Sequence, residues 1–232
     1  MVITLSRQAE SGGDEIARLI AERSGLALAD RNILERIAHR AGVPVAHLTV
    51  FDEAMPGVIE AMVAEWRTSM SHGLYLRRLV QALVALERQG NALIMGRGAA
   101  FVLTDLGTLH VRVVSPMPCR VANLMERRGI YHVEAERLLR AADEARARFV
   151  RQSFDADIDA PDHYDLVLNT AELGTEAGAE IILLAAQRKA LSRTTQEPPR
   201  DFISHMARFQ RRPHLPRVSE TTWRRCRQQG AG

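Results

Sequence analysis

Residues 6–14, SRQAESGGD, put a cation, two hydroxyls, two adjacent glycines and two acids between an apolar run and an amphipathic one. The chemistry this suggests is anion binding. Where a strand feeds a helix, the first N–H groups of the helix lack intrahelical partners and its dipole favours negative charge. Ser11, Gly12 and Gly13 would let the backbone approach a phosphate closely. The strict phosphate-loop pattern G-x-x-x-x-G-K-[ST] is not met. Anchored on Gly12, its first glycine falls at Arg7, its lysine at Gly13 and its Ser/Thr at Asp14. On spacing alone, a plain strand-to-helix turn fits equally well.

Further cations follow later apolar runs. Arg36 comes after the second, Arg97 stands in GRG after the third, and Arg146, Arg148 and Arg151 lie on a long amphipathic segment. In parallel sheets ligands bind beyond the carboxyl ends of the strands, so Arg7, Arg36 and Arg97 can converge on the 8–14 loop. The alternative is surface arginines paired with acids. Lys189 is the sole lysine among 31 Lys and Arg, so phosphate contacts must come from guanidinium forks or backbone N–H groups.

Short apolar runs at 2–6, 26–30, 91–96, 108–115 and 164–170 predict five strands. Helical periodicity at 14–24, 31–42, 58–71, 74–89, 119–129, 133–152 and 175–191 predicts the helices between them. Strands that alternate with helices, most of them nearly continuous in apolar residues, call for an α/β fold with a parallel sheet covered on both faces. Residues 193–232 are Pro- and Arg-rich, with nine arginines against three acids. They read as a solvated tail with one short helix at 200–209, and as a contact for a protein partner more readily than for nucleic acid. Cys119 and Cys226 have no metal or disulfide spacing. The absence of an apolar run of ~18 residues argues against a membrane span, and a cytoplasmic setting is expected.

In order and spacing, ITLSRQAESGGDEIARLIAERSGLALADRNILERIA, GNALIMGRGAAFVL, LHVRVVSPMPCRVANLMERRGI, DEARARFVRQSF and YDLVLNTAELGTEAGAEII resemble the cytidylate kinase-like proteins of the P-loop nucleoside monophosphate kinases, over about residues 2–190. The resemblance implies a three-layer P-loop kinase fold in residues 1–192, with a five-stranded parallel sheet. Inserted helices at 32–90 would bind the monophosphate, and 129–160 would form a helical lid. It implies transfer of the ATP γ-phosphoryl group, with Mg²⁺, to a pyrimidine nucleoside monophosphate, CMP or dCMP first. Gln8, Ser11, Gly12, Gly13 and Asp14 then belong to the ATP-phosphate loop. Arg36 and Arg97 hold the acceptor, and Arg146 and Arg148, with Arg151 beside them, clamp the transferring group.

Three departures bear on this reading. The lysine position is Gly13, the aspartate of the family's GRD segment is Gly98, and Glu10 stands where relatives carry glycine. An acid beside a triphosphate is unfavourable by ~4 kcal/mol for unit charges 4 Å apart at an effective dielectric of about 20. Asp14 is either a Mg²⁺ contact or a helix start favoured by the dipole. Arg7 and the lid arginines are candidates to replace the lysine. The second functional reading is a catalytically degenerate nucleotide- or anion-binding module that acts through a partner protein.

Overall fold

The computed structural model describes residues 1–29, 71–103 and 107–193. The predicted helix at 31–42, the predicted helix at 58–71 except for its last residue, Arg36, and the tail from 194 onward lie outside the described residues. Five strands form one parallel sheet: β1 (Val2–Arg7), β2 (Ala27–Ala29), β3 (Ala92–Met95), β4 (Thr108–Val114) and β5 (Leu166–Asn169), in the order β2-β3-β1-β4-β5. The central strand β1 pairs Val2 with Ala92 and with Thr108, and runs in register to Met95 on one side and Val113 on the other. The helices are α1 (Gly13–Ser24), α2 (Ser71–Gln89), α3 (Ala99–Val102), α4 (Met117–Arg128), α5 (His132–Phe154) and α6 (Thr170–Arg193).

The period-2 pattern of the strands sorts their side chains to two faces. Ile3, Leu5, Leu93, Val111 and Val113 pack with Ile16 and Ile20 of α1 and Ile182 of α6. Val2, Ala92 and Ile94 pack on the other face with Leu79 and Leu83 of α2 and Val150 and Phe154 of α5. Burying these side chains on both faces is the main stabilising term, at about 1.5–3 kcal/mol for each large aliphatic.

β4 departs from a continuous apolar run. Its second face carries Thr108, His110 and Arg112, whose side chains meet Glu87, Thr4 and Ser6. A polar stripe therefore runs along the β1/β4 pair toward the carboxyl ends of the strands.

Two helices end at left-handed glycines. Gly25 (φ 68°) and Gly129 (φ 65°) each donate an N–H to the carbonyl four residues back, at 2.9 and 2.8 Å. Two elements were not anticipated. The four-residue α3 is too short to show a period, and α6 begins with an extra turn set off by non-helical Gly174 (φ 71°, ψ 178°). No helix among the described residues is long and apolar enough to cross a membrane.

Candidate active site

The first element of the site is the β1–α1 loop, whose backbone is tethered from the outside. Gln8 N–H donates to Val113 O (3.0 Å), and Gln8 O accepts from Ser11 Oγ (2.9 Å). From α4, Arg120 donates to Ala9 O (3.2 Å) and Asn123 donates to Glu10 O (3.1 Å). Thr170 Oγ1 donates to Ser11 O (2.8 Å). The peptides are trans, and in a trans peptide the N–H points opposite to its carbonyl. With Ser11 O held by Thr170, the Gly12 N–H is turned to the other side. Gly12 is left-handed (φ 77°), and the N-terminus of α1 carries no side-chain cap. The first helical bond runs from Ile16 N–H to Gly12 O (3.0 Å), so the N–H groups of Gly13, Asp14 and Glu15 precede it and are the ones a helix leaves for an anion.

Glu10 is also left-handed (φ 57°). Its carboxylate lies on Arg127 of α4, an ion pair that neutralises it. The acid that looked costly in the sequence is thereby accommodated.

Gly13 has an equally specific reason. A Cβ there would stand 2.7 Å from Arg7 Cβ and 3.2 Å from its Cγ. The space a side chain at the lysine position would leave through is filled by Arg7, which enters from the end of β1. Its guanidinium donates Nε–H to Asp14 Oδ1 at 2.8 Å, and Nη2 lies 2.8 Å from the same oxygen in the ion pair. It also reaches Gly96, where a Cβ would stand 3.4 Å from Nη1. Arg7 is mostly buried, whereas Asp14 is largely exposed.

The second element is the turn after β3. Gly96, Arg97 and Gly98 all have positive φ (65°, 55° and 70°). Arg97 is held in a conformation that L-residues other than Asn and Asp seldom adopt, a strain that clusters at functional sites. At Gly98 no side chain is possible. A Cβ would lie 2.5 Å from Phe154 Cζ and 2.9 Å from Cδ2, nearer still to Cε2.

Arg7, Arg97, Arg146 and Arg148 line one pocket of about 140 Å³ between β1, the 96–98 turn and α5. Within α5, Arg146 pairs with Asp143 (3.5 Å) and Arg148 with Glu144 (2.8 Å). Arg151 is exposed and is not part of that lining. The side chains of Gln8 and Ser11 are turned to structural use: Gln8 Oε1 accepts from Ser115 N–H (3.1 Å), and Ser11 is buried. Their part at an anion site falls to the backbone.

The sequence model of the cytidylate kinase-like family matches residues 2–172, most of the chain. The chain belongs to that family. It is similar to the cytidylate kinase of Archaeoglobus fulgidus, 23% identical over 192 residues that cover 82% of this chain and 97% of that one. It is similar also to the cytidylate kinase of Ignicoccus hospitalis, 24% identical over 185 residues, 78% of this chain and 96% of the other. Among solved structures, an uncharacterized protein from Eubacterium ventriosum aligns with a TM-score of 0.62 at 16% identity, over 81% of this chain and 98% of that one, a likeness of fold.

This cytidylate kinase-like chain also uses residues that the sequence did not flag. Asp143 of α5 accepts the Ala9 N–H (3.0 Å) and pairs with buried Arg120 (2.5 Å), so α4 and α5 clasp the loop between them. Arg112 is buried in β4, where it donates to Ser6 (3.0 Å), pairs with Asp159 and lies 5.8 Å from the Tyr164 ring centroid. Burial pushes the Tyr164 phenol up, against the opposing pull of Ser6 and Arg112. One signal for Arg112 was available: a charge inside the apolar run LHVRVV. His110, on the same face, is held down to about 4 by burial, partly countered by Asp165, so it stays neutral against Thr4 at 2.7 Å. No group of three or more His, Cys, Asp or Glu among the described residues has metal-site geometry. Asp14 is the acid nearest the α1 terminus that faces solvent, and Mg²⁺ binds typically through one or two carboxylates plus substrate phosphates.

Proposed function

We propose that this protein transfers the γ-phosphoryl group of ATP to a phosphate oxygen of a nucleoside monophosphate or a related small acceptor, with CMP and dCMP as the first to test. The observation that carries this reading is the placement of Arg7. It fills the space of the missing lysine side chain and lines the same pocket as Arg97, Arg146 and Arg148. In the proposed reaction the N–H groups at the head of α1 hold the ATP phosphates, and Arg7 takes over the role of the lysine. Arg97 orients the acceptor phosphate, as Arg36 would by its family position. Arg146 and Arg148 approach the transferring group from α5, the proposed lid helix. An acceptor oxygen forms a bond to the γ-phosphorus while the bond to the bridging oxygen breaks and its electron pair leaves with ADP. Positioning and charge neutralisation are most of what such a transfer requires. Mg²⁺, when bound with the nucleotide, supplies charge neutralisation at the phosphates, and Asp14 is the residue that would offer it an oxygen. The exposed free thiol of Cys119 suits a reducing compartment such as the cytoplasm.

The test is ATP turnover with Mg²⁺ across CMP, dCMP, UMP and AMP, alongside nucleotide-induced thermal shifts. Arg7→Ala is expected to lower turnover by about 10²–10³-fold, the range for losing one fixed transition-state donor. Unchanged turnover in Arg7→Ala and in the Arg146→Ala/Arg148→Ala pair would defeat the assignment. Binding of a monophosphate with no turnover of any acceptor would instead favour the binding-module reading.

A further inference from the structure

The pocket beside Arg97 has a hydroxyl in its floor and a cation beneath that hydroxyl. On β1 the alternation that sends Ile3 and Leu5 to one face of the sheet sends Thr4 and Ser6 to the other. That second face is the one on which Val150 and Ile158 close the pocket. Thr4 Oγ1 is engaged by His110 at 2.7 Å. Ser6 directly precedes Arg7, and both line the pocket. The Gly96 N–H donates to the carbonyl of Leu5 (3.0 Å), which brings the Arg97 turn alongside Ser6.

Ser6 Oγ accepts from Nη1 of Arg112 (3.0 Å), its register partner on β4. Arg112 is buried, and Ser6 is the pocket-lining residue to which it hydrogen-bonds. A serine hydroxyl that accepts from a guanidinium still has its one hydrogen to give. Tyr164 Oη lies 3.5 Å from Ser6 Oγ, too far for a good O–H···O bond, and its own hydrogen goes to Ile158 O at 2.9 Å. The hydrogen of Ser6 is therefore left for the pocket, and the bond from a cation polarises the hydroxyl into a stronger donor.

We propose that Ser6 donates this hydrogen to a phosphate oxygen of the acceptor, and that Arg112 is the positioning residue that orients and strengthens the donor from beneath. The proposal rests on the pocket being the acceptor side of the kinase site. The stems of the side chains divide the work. Arg97 and Arg146 bring charge on long flexible stems, whereas a serine on the central strand has one rotatable bond to its oxygen and fixes a point in space. Ser6 sets where the phosphate sits, and the arginines neutralise it there.

Mg²⁺–ADP would first be titrated by calorimetry against the full chain and its variants. Inorganic phosphate and CMP would follow with Mg²⁺–ADP present to occupy the phosphate loop. Ser6→Ala is expected to weaken both by about tenfold to a hundredfold, the range for a hydrogen bond to a charged group, and Mg²⁺–ADP by less than about twofold. Ser6→Thr keeps the hydroxyl and should recover all but about threefold of that loss. Arg112→Met should weaken phosphate about threefold to tenfold where Ser6 is present and less than about twofold in the Ser6→Ala background, because it acts through the hydroxyl. That double variant removes both partners of the bond and leaves no buried guanidinium without its acceptor, so it replaces Ser6→Ala if the single variant fails to fold. The proposal is overturned if the folded variant without the hydroxyl binds phosphate as the parent chain does, or if Ser6→Thr loses as much as Ser6→Ala. It is equally overturned if Mg²⁺–ADP falls as far as phosphate, if Arg112→Met has the same effect with and without Ser6, or if neither phosphate nor CMP binds at all. ATP turnover alongside any of those results leaves the kinase reading standing without this one. Hydroxyl-dependent phosphate binding in a chain that neither binds ADP nor turns over ATP does the reverse.

Discussion

The turns after β1 and β3 lie side by side at the carboxyl edge of the sheet, and they differ in what is added to their backbone bonds. The 8–12 loop is fixed by many polar tethers that arrive from β4, α4, α5 and α6. The 96–98 turn is fixed by backbone bonds of its own, Gly96 N–H to Leu5 O (3.0 Å) and Ala99 N–H to Gly96 O (3.1 Å), and by the ring of Phe154 against a glycine that has no room for a Cβ. A loop that must present N–H groups to an anion needs its carbonyls bound elsewhere, and many modest bonds achieve that. A turn that must hold an arginine in a strained left-handed conformation needs one rigid stop. The first should degrade by increments, the second in a single step.

The strongest test of that contrast is Phe154→Ala. It removes the stop and opens a core cavity, and is expected to cost about 3–5 kcal/mol of unfolding free energy in urea denaturation. The floor beneath both turns is the β1/β4 polar stripe, and there the effect should be pH-dependent. The folded protein keeps His110 neutral down to about 4, whereas the unfolded chain protonates it near 6.5. Stability is therefore whole above pH 6.5 and is lost as pH falls toward 4, by up to about 3 kcal/mol, a loss that His110→Asn should flatten. For the loop itself, Thr170→Val leaves the Ser11 carbonyl without its donor, and about 1–2 kcal/mol is expected in the same denaturation series. The smallest effect belongs to Arg127→Ala. Its pair with Glu10 is exposed on the arginine side, so stability should change by less than about 1 kcal/mol. That variant still frees an acid beside the α1 terminus, so anion affinity should fall more than stability does. A Thr170→Val loss as large as that of Phe154→Ala would break the contrast.

Much of the architecture was legible in the chain. The apolar runs located the five strands because each is short and bounded by glycine or polar residues, and the three central ones are mostly buried. Gly25 marked a helix end because a left-handed stop favours glycine. The β4 face was misread as apolar because Arg112 and His110 alternate with three valines and a leucine, and their partners come from other elements. The clasp on the loop was not legible either. Asp143 and Thr170 lie 134 and 159 residues from the backbone they bind, and no local pattern encodes such a pairing. Glu10 illustrates the general difficulty: its type announced a charge problem, but only the fold brings Arg127 to it.

Because Arg7 is mounted on the central strand and not on the helix, a lysine at residue 13 is closed to single changes. A side chain at residue 13 collides with Arg7 while that arginine remains, and removing Arg7 first leaves the loop without its cation and Asp14 without its pair. Both intermediates are worse than either end state. The arrangement is a two-position lock: a designer who wants the lysine must exchange residues 7 and 13 together.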